Sequence, residues 1–385
     1  MKFILQIYTP LWTGSTDTKK MDRIHETGIS GSLRWWYETI LRGLTGTNPD
    51  REQVCNATSE NAIQRCNYER NRWVCRACDL FGATGWKRRF RIDINNEKQF
   101  VTPGKITIKI NPNGNGWHFY PHYISVGSQN ISGQIHVLRQ RSQVNPIERI
   151  SSVENDLYII AALINRWGGL GSKTQHGWGI VNLQFENHPQ ADINSFLVGL
   201  PDDNTDDQGL PTIGNMFFAQ LYLKSGIADN WWKSAHLGNG VKDNASQWRL
   251  EDSVKAKTSF SVPSAPAVKY KLRYGNNGSS YLPAAVGCEE FFFGQIGNQA
   301  IKAKLNISNA YNVNGQWQFR VWGWFPEQEI PGSISRNLLV TQLQQVITDT
   351  KYQNFWDSIF GAGVIDLSKS VWREVDRSGH NRNSP

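Results

Sequence analysis

Apolar and polar residues alternate in several short stretches of the chain. Residues 2–11 read as a strand that ends at Pro10, because proline has no amide hydrogen with which to continue a ladder. Residues 179–186 have the same two-residue period and predict a half-buried strand. A third strand is predicted up to Ile94, after the turn Phe81-Gly-Ala-Thr-Gly85.

Two other stretches have the longer period of an amphipathic helix. Residues 29–44 place six apolar side chains on one face, with Ser30 or Ser32 as the N-cap. Residues 154–166 do the same with Leu157, Ile160, Ala161 and Ile164. Between these helices, residues 131–150 are polar and have few core residues, which predicts a hairpin or extended loop that could reach a partner.

Five glycines, at positions 168, 169, 171, 177 and 179, crowd the segment from Trp167 to Val181. A segment this rich in glycine cannot be a helix or strand interior, and its amides can approach an anionic ligand closely. Side-chain donors and charge lie among them, at Ser172, Lys173, Thr174, Gln175 and His176. The pattern predicts a loop that grips a phosphate backbone, with a plain flexible connection as the alternative. It matches neither a Walker loop nor a Rossmann turn.

The second half of the chain partly repeats the first. Phe293-Gly-Gln-Ile-Gly297 and the strand after it echo Phe81-Gly-Ala-Thr-Gly85 and its strand. An acidic, turn-rich run at 201–209 separates the halves, so we expect domains at 1–200 and 210–375. The fold class predicted is α+β, with two tandem ferredoxin-like βαββαβ (RRM-like) units. The second unit is expected to be degenerate, with a role in packing or partner contact.

Charge and aromatic content favour a polyanionic partner. The chain has 41 Lys and Arg against 33 Asp and Glu, a net charge of +8, and 16 Trp residues, which suit base stacking as well as a core. No apolar run approaches the roughly 18 residues of a membrane span, and the first residues are too short and too alternating for a signal. We expect a cytoplasmic protein.

Three arginines and one tryptophan add candidate contacts to RNA. Arg34 and Trp35 lie near the start of the first predicted helix, where Arg34 is either a backbone contact or an ordinary surface or ion-paired residue. Strand alternation places Arg89 and Arg91 on one face. That face is either a track for nucleic acid or a solvated edge guarded by charge.

Four of the five cysteines, Cys55, Cys66, Cys75 and Cys78, fall in an insertion at about 50–80 that the second half lacks. Cys75-Arg-Ala-Cys78 has the spacing of a zinc knuckle. Metal is favoured over disulfides in a chain without a secretory signal, although the first pair could be free thiols. His25, His118 or His122 could replace one ligand. Cys288 stands apart and reads as a buried free thiol.

Four motifs together resemble one family. They are Thr9-Pro-Leu-Trp-Thr-Gly14, Gly28-Ile-Ser-Gly-Ser-Leu-Arg-Trp-Trp-Tyr-Glu38, Cys78-Asp-Leu-Phe-Gly-Ala-Thr-Gly85 and Gly168-Gly-Leu-Gly-Ser-Lys-Thr-Gln-His-Gly-Trp-Gly179. They resemble the RAMP superfamily of CRISPR proteins, and their order is similar to that of the head subunit (subunit one) of the type III-B Cmr effector complex. The cysteine cluster is not part of this resemblance.

The resemblance implies a non-catalytic subunit that binds the 3′ region of the guide RNA and the 5′ part of the target RNA beside other Cmr subunits. The residues expected to contact RNA are Arg34, Trp35, Arg89, Arg91, Gly169, Gly171 and 172–176. The alternative is a metal-independent endoribonuclease of the same fold that processes CRISPR RNA, with His25 or His176 as the base. A purely structural spacer is disfavoured by the glycine loop and the basic strand.

Overall fold

The structure is a mixed α+β fold with antiparallel sheets, as the sequence predicts. The computed structural model describes residues 1–14, 23–44, 74–95, 130–138, 146–186, 210–224, 288–294, 303–331, 334–348 and 356–360, with short pieces at 66, 69, 100–101, 106–108, 117–119, 123–124, 261–262, 265, 268–269 and 301. Within these residues, helices of sufficient length and hydropathy to cross a bilayer are absent.

The first half contains one four-stranded sheet and two long helices. Its elements in chain order are β1 (Lys2–Ile7), α1 (Glu26–Leu44), α2 (Arg76–Phe81), β2 (Phe90–Ile94), β3 (Phe100–Val101), β4 (Ile106–Ile108), β5 (Trp117–Phe119), β6 (Tyr123–Ile124), β7 (Asn130–Val137), α3 (Pro146–Arg166) and β8 (Val181–Phe185). The main sheet has the order β2-β7-β1-β8, and every pair is antiparallel. Two small ribbons, β3-β6 and β4-β5, lie outside it.

The amphipathic periods explain this sheet and its helices. In β1 the alternate residues Phe3, Leu5 and Ile7 are buried, and α1 buries the predicted face from Leu33 to Leu41. The predicted face of α3 is buried too, at Leu157, Ile160, Ala161 and Ile164. Each element thus contributes one apolar stripe to a shared core.

Two local predictions in this half are wrong. Nearly all the described residues of 131–150 belong to β7 and to the start of α3 rather than to an extended loop, and β7 pairs with both β1 and β2 inside the sheet. Its alternation was hidden by Gly133, whose missing side chain leaves room for the ring of Phe3. Neither Ser30 nor Ser32 caps α1, since the helix begins at Glu26.

The second half builds a second antiparallel sheet. Its elements are β9 (Met216–Leu223), β10 (Ser261–Val262), α4 (Cys288–Phe293), β11 (Leu305–Ile307), β12 (Ala310–Val313), β13 (Gln316–Trp324), α5 (Arg336–Thr348) and β14 (Trp356–Phe360). The order is β10-β12-β13-β9-β14, with β11 also paired to β13. A tight turn at Asn314 and Gly315, both with positive φ, joins β12 to β13, as expected for an Asn-Gly hairpin.

The two halves share a strand order. The strands β1, β2, β7 and β8 of the first sheet correspond, in chain order, to β9, β12, β13 and β14 of the second. In each set the third strand of the four lies between the first and the second, and the fourth lies on the other side of the first. The Phe-Gly echo also has a structural counterpart. The short helices α2 and α4 both end in Phe, and the glycine that follows has positive φ and donates back into the helix, Gly82 to Cys78 and Gly294 to Glu290, each at 2.8 Å. These are the features that an internal repeat predicts.

Strand β9 of the second sheet is buried on both faces, which joins the halves. On β9, Phe217, Ala219 and Leu221 face the core beneath α5, whereas Met216 and Phe218 belong to the core of the first half. Phe218 lies 6.3 Å from Trp36 and 5.8 Å from Trp167 between ring centroids. The end of α3 and the start of the glycine-rich segment are therefore packed directly on the second sheet.

Candidate nucleic-acid interface

The glycine-rich segment leaves α3, turns through a short 3-10 helix at Thr174–His176 and enters β8. Gly171, Gly177 and Gly179 have φ values of 83°, 88° and 85°, which favour glycine. Lys173 adopts a left-handed conformation as well, with φ 63°. The loop is thus held in a defined shape, which favours the structured interpretation over a flexible connection.

Most of the glycines are needed for contacts within the protein. A Cβ on Gly171 would lie 2.5 Å from the carbonyl oxygen of Trp12, and one on Gly177 would lie 2.5 Å from Oδ1 of Asn309. A side chain on Gly168 would collide with the ring of Trp36, and one on Gly179 with the carbonyl oxygen of Leu170. The glycine density therefore reflects close packing of the loop on α1 and on both halves.

Most of the loop amides also have protein acceptors. The amide of Gly171 donates to Oγ of Ser32 at 2.8 Å, and that of Ser172 to the carbonyl oxygen of Trp12 at 2.8 Å. By contrast, the amides of residues 173–175 have no acceptor within the part of the chain that the structure describes. The amide of Gly169 likewise has no acceptor among the described residues, so the predicted amide-lined grip is confined to Gly169 and residues 173–175.

Lys173 is positioned by two tryptophans. Its Nζ lies 3.8 Å from the ring centroid of Trp12 and 5.2 Å from that of Trp178, which are cation–π distances. Burial lowers the pKa of Lys173 from its ordinary value. An ammonium group held by aromatic rings keeps its N–H donors available for an anionic oxygen.

A cavity of about 440 Å³ opens beside Lys173. The first half contributes residues of 12–14, of α1 between Gly28 and Trp36, and of the loop between 169 and 175. The second half contributes Ala303, Asn306, Trp322 and Trp324. Lys173 is the charged residue of this described lining, which contains no carboxylate.

Aromatic side chains dominate the walls of the cavity. Trp35 is partly exposed and makes edge contacts with Trp36, at 4.7 Å between centroids, and with Trp324, at 5.9 Å. Trp36 is buried and its indole donates to the carbonyl oxygen of Gly169 at 2.8 Å. Asn306 accepts from the hydroxyl of Thr174 at 3.2 Å. Sequence reasoning found Trp35 but missed Trp322 and Trp324, whose only local signal was the Trp-rich end of β13, and Asn306 of β11, which had no local signal.

The predicted arginines lie in different environments. Arg34 donates to Glu38 at 2.8 Å, to the carbonyl oxygen of Gly82 at 2.9 Å and to Sγ of Cys78 at 3.2 Å, so it is the ion-paired residue of the alternative interpretation. Arg89 precedes β2 and is 5% exposed, with its guanidinium paired to Asp79. Arg91 is exposed and pairs with Asp93 at 2.7 Å. A one-sided basic strand is therefore absent here, because burial of Arg89 removes it from the strand surface.

The two histidines of the nuclease alternative also differ. Burial, then the charges of Lys173 and Lys269, lower the pKa of His176 to about 4. Such an imidazole is neutral at pH 7 and is a weak base, since the preferred pKa of a general base lies near the working pH. The backbone amide of His25 donates to Oγ1 of Thr13 at 2.8 Å, which ties the start of α1 to the motif that follows β1.

Three of the predicted zinc ligands come together. The thiols of Cys66, Cys75 and Cys78 are buried, and their sulfur atoms all lie within 4.8 Å of one another. The amide of Cys75 donates to Sγ of Cys66 at 3.2 Å, and that of Cys78 to Sγ of Cys75 at 3.4 Å. Cys55 lies outside the described residues, as do His122 and the side chain of His118. His25 is not a member of this group in the described part of the chain.

A buried polar network fixes the cysteine helix to the long helices. Asp156 on α3 accepts from the hydroxyl of Tyr37 at 2.7 Å and from Arg76 at 2.8 Å. Burial raises the pKa of Asp156. Burial and the charge of Asp156 raise the pKa of Tyr37 well above its ordinary value. The cysteine cluster is thereby anchored on α1 and α3 rather than hanging from the fold.

A family profile described as the RAMP superfamily matches residues 4–182. Residues 4–182 are therefore similar to the RAMP superfamily. The match begins within β1, ends at the second residue of β8 and includes all four motifs, and it confirms the RAMP resemblance that those motifs carry. No curated protein sequence matches the chain.

Three solved structures are also similar to the chain, at low sequence identity. The apo crystal structure of Cmr1 from Pyrococcus furiosus is 13% identical, with a TM-score of 0.39 over 93% of this chain and 97% of that one. A chain of the type III-B Cmr-beta cryo-EM structure bound to cognate target RNA and AMPPnP, in the presence of ssDNA, is 10% identical, with a TM-score of 0.40 over 90% of this chain and 98% of that one. A chain of Cmr-beta bound to cognate target RNA is 11% identical, with a TM-score of 0.38 over 90% and 99%.

Proposed function

We propose that this chain is a non-catalytic RNA-binding subunit of a type III-B Cmr effector complex. In this role it holds the 3′ region of the guide RNA and the 5′ part of the target RNA, acts beside other Cmr subunits in the cytoplasm, and serves antiviral defence. The RAMP match supports the class of protein, and the motif order supports the narrower assignment.

The observation that carries the proposal is the position of Lys173. It adopts a left-handed conformation, and its ammonium group lies on the ring of Trp12. The amides of residues 173–175 have no acceptor within the described residues. The lining of the adjacent cavity contains no carboxylate. An ammonium group and unsatisfied amides suit phosphate oxygens, and the tryptophans suit bases. The contact is independent of base sequence, because pairing between guide and target carries the specificity.

The fold supports the same function. We infer that the shared strand order reflects two tandem ferredoxin-like units, at 1–200 and 210–375, with the cysteine region at about 50–80 as an insertion in the first. The second unit is expected to serve packing or partner contact, and we infer that it also contacts RNA, because Trp322, Trp324 and Asn306 form part of the cavity wall.

We also infer that the cysteine cluster holds a structural zinc ion. Three buried thiols within 4.8 Å fit a tetrahedral thiolate site, and the N–H···S hydrogen bonds and the Arg34 guanidinium would stabilise negative charge on sulfur. Cys66, Cys75 and Cys78 would supply three ligands, with Cys55 as the fourth predicted from sequence.

The test is a salt titration of RNA binding by the full chain. For single-stranded RNA, each neutralised phosphate contributes about −0.7 to the slope of log K against log salt concentration. We expect Lys173→Ala to weaken binding several-fold and to make the slope shallower by about 0.7. The matched control is Lys2→Ala, which removes an exposed lysine of β1 that does not line the cavity. An unchanged slope for Lys173→Ala, or equal effects of both variants, would contradict the proposal.

The endoribonuclease alternative is tested in the same preparations. Incubation of the full chain with repeat-bearing RNA in EDTA is expected to leave the RNA intact. If wild type cleaves the RNA and His25→Ala does not, the proposed function is contradicted and the endoribonuclease function is supported.

A further inference from the structure

We propose that the cavity between the two halves receives one nucleotide of a bound RNA strand, with its base against Trp35 and Trp324 and its polar edge facing Asn306. The inference rests on the proposed function and deepens it, because it assigns a base-binding site in addition to a phosphate contact.

The size of the cavity suits such an occupant. Its volume is about 440 Å³, and sites for small organic ligands of nucleotide size span roughly 300–1,000 Å³. A loop of RNA backbone with several bases would not enter a space of this size. The cavity is therefore matched to a single unstacked nucleotide.

The walls provide a rigid aromatic surface. Trp35 and Trp324 are the partly exposed rings, and they meet edge to face at an interplanar angle of 65°. Behind them, Trp36 is 2% exposed and Trp322 is 3% exposed. Buried rings hold the exposed ones in place, so little side-chain freedom is lost when a base stacks on them.

Polar groups lie in the same cavity beside this aromatic surface. Asn306 is 8% exposed; its carboxamide accepts from Thr174 and donates weakly to the carbonyl oxygen of Trp322 at 3.4 Å. A carboxamide has two N–H donors, so one remains for the Watson–Crick edge of a base. Lys173 lies on the loop side of the same cavity, where a phosphate attached to the nucleotide would be neutralised.

The position of the cavity also fits a strand that runs across both halves. Its lining combines α1 and the glycine loop of the first half with the end of β13 in the second half. An RNA strand that enters it therefore contacts both halves, whereas a strand bound to the glycine loop alone would not need Trp324.

The test compares two strands of about six nucleotides, within the usual site size for single-stranded nucleic acid. One is a normal RNA and the other is an abasic ribose-phosphate chain of the same length. For the wild-type full chain, we expect removal of the bases to weaken binding by about 5- to 150-fold, the range for stacked bases. In Trp324→Ala, the difference between the two strands is expected to fall to a small fraction of that value.

The matched control is Trp317→Ala, because Trp317 is another partly buried tryptophan of β13 that does not line the cavity. It should retain the full preference for the normal strand. Lys173→Ala should weaken both strands alike. Where Trp324→Ala fails to fold, photocrosslinking of 4-thiouridine RNA to the wild-type chain tests the same site, with crosslinks expected on Trp35 or Trp324.

The outcomes separate this proposal from the proposed function. Equal affinity of wild type for both strands, or an undiminished base preference in Trp324→Ala, would overturn the nucleotide site while RNA binding stands. Binding of uridine monophosphate as tight as that of the RNA strand would also overturn it, since the cavity would then take free nucleotides. If neither strand binds, the proposed RNA-binding function itself would be contradicted.

Discussion

Arg320 of β13 donates a hydrogen bond from Nη1 to the carbonyl oxygen of Gly168 at 2.8 Å. The same nitrogen donates to Ile164 at 2.7 Å, Nη2 donates to Asn165, and Nε donates to the hydroxyl of Tyr311 at 2.8 Å. The side chain is 3% exposed. An arginine of the second sheet thus caps the C-terminus of α3, where carbonyl oxygens lack helical partners and the helix dipole favours a cation.

We expect Arg320→Met to lower the free energy of unfolding by about 2–5 kcal/mol, because it removes the guanidinium donor from the carbonyl oxygens of Asn165 and Gly168. Urea denaturation of the full chain measures this change. The matched control is Arg91→Met, which removes a 57% exposed arginine and should change stability by less than about 0.5 kcal/mol. Similar effects for the two variants would show that Arg320 does not hold the halves together.

Much of the first sheet could be predicted from the sequence, and the reason is local. The buried faces of α1 and α3 and the strand β8 follow from residue periods that the backbone imposes over a few turns. The strand β7 was missed because its inward positions are Gly133 and Ile135, and a glycine gives no apolar signal.

The cavity could not be predicted in the same way. Its walls bring Trp35 together with Trp324, and Thr174 together with Asn306, through packing of the second sheet on the first core. No local period encodes such a contact. Likewise, the sequence could not tell that the basic residues Arg34 and Arg89 have internal partners, since Gly82 and Asp79 reach them only in the folded chain.

Substitution of Gly179 tests whether the loop glycines serve packing. Gly179 has φ 85°, and a Cβ there would overlap the carbonyl oxygen of Leu170. We expect Gly179→Ala to cost about 2 kcal/mol or more in unfolding free energy. Gly31→Ala is the matched control, because a Cβ at Gly31 meets no atom within 4 Å and alanine is favoured in a helix. In thermal unfolding, the midpoint of Gly179→Ala should lie below that of wild type, whereas the midpoint of Gly31→Ala should not. Equal stability of the two variants would contradict a packing role for Gly179.

The stability of the protein should depend on His176 at mildly acidic pH. Its folded pKa of about 4 lies below the ordinary value of 6.5, so the unfolded chain binds more protons between these values. Stability from this group is present above pH 6.5 and is lost as pH falls from 6.5 towards 4. Because the imidazole is partly exposed, we expect a loss on the order of 1–2 kcal/mol rather than the full shift.

The measurement is the unfolding free energy of wild type and His176→Gln at pH 7 and pH 4.5. The glutamine side chain does not titrate. The fall in unfolding free energy from pH 7 to pH 4.5 should therefore be smaller for this variant than for wild type, by about 1–2 kcal/mol. Parallel pH profiles for the two proteins would mean that His176 is not held in its neutral form by burial beside Lys173 and Lys269.

Removal of zinc should destabilise the region around α2. Cys66, Cys75 and Cys78 converge within 4.8 Å, and α2 connects through Arg76 and Asp156 to α3. We expect one zinc per chain by elemental analysis, as for a closed four-ligand site. At free zinc 100-fold above the dissociation constant, binding contributes about 2.7 kcal/mol to stability, so a chelator should lower the unfolding midpoint.

Cys75→Ser should lose the zinc and unfold at the same temperature with or without chelator. The matched control is Cys288→Ser, a cysteine of α4 that the sequence places apart from the cluster. This variant should keep the zinc content and the chelator response of wild type. Zinc retained at wild-type content in Cys75→Ser would mean that the three thiols do not form the metal site. Because Arg34 joins Cys78 to the face of α1 near the cavity, RNA affinity measured on the same samples shows whether the metal also supports the interface.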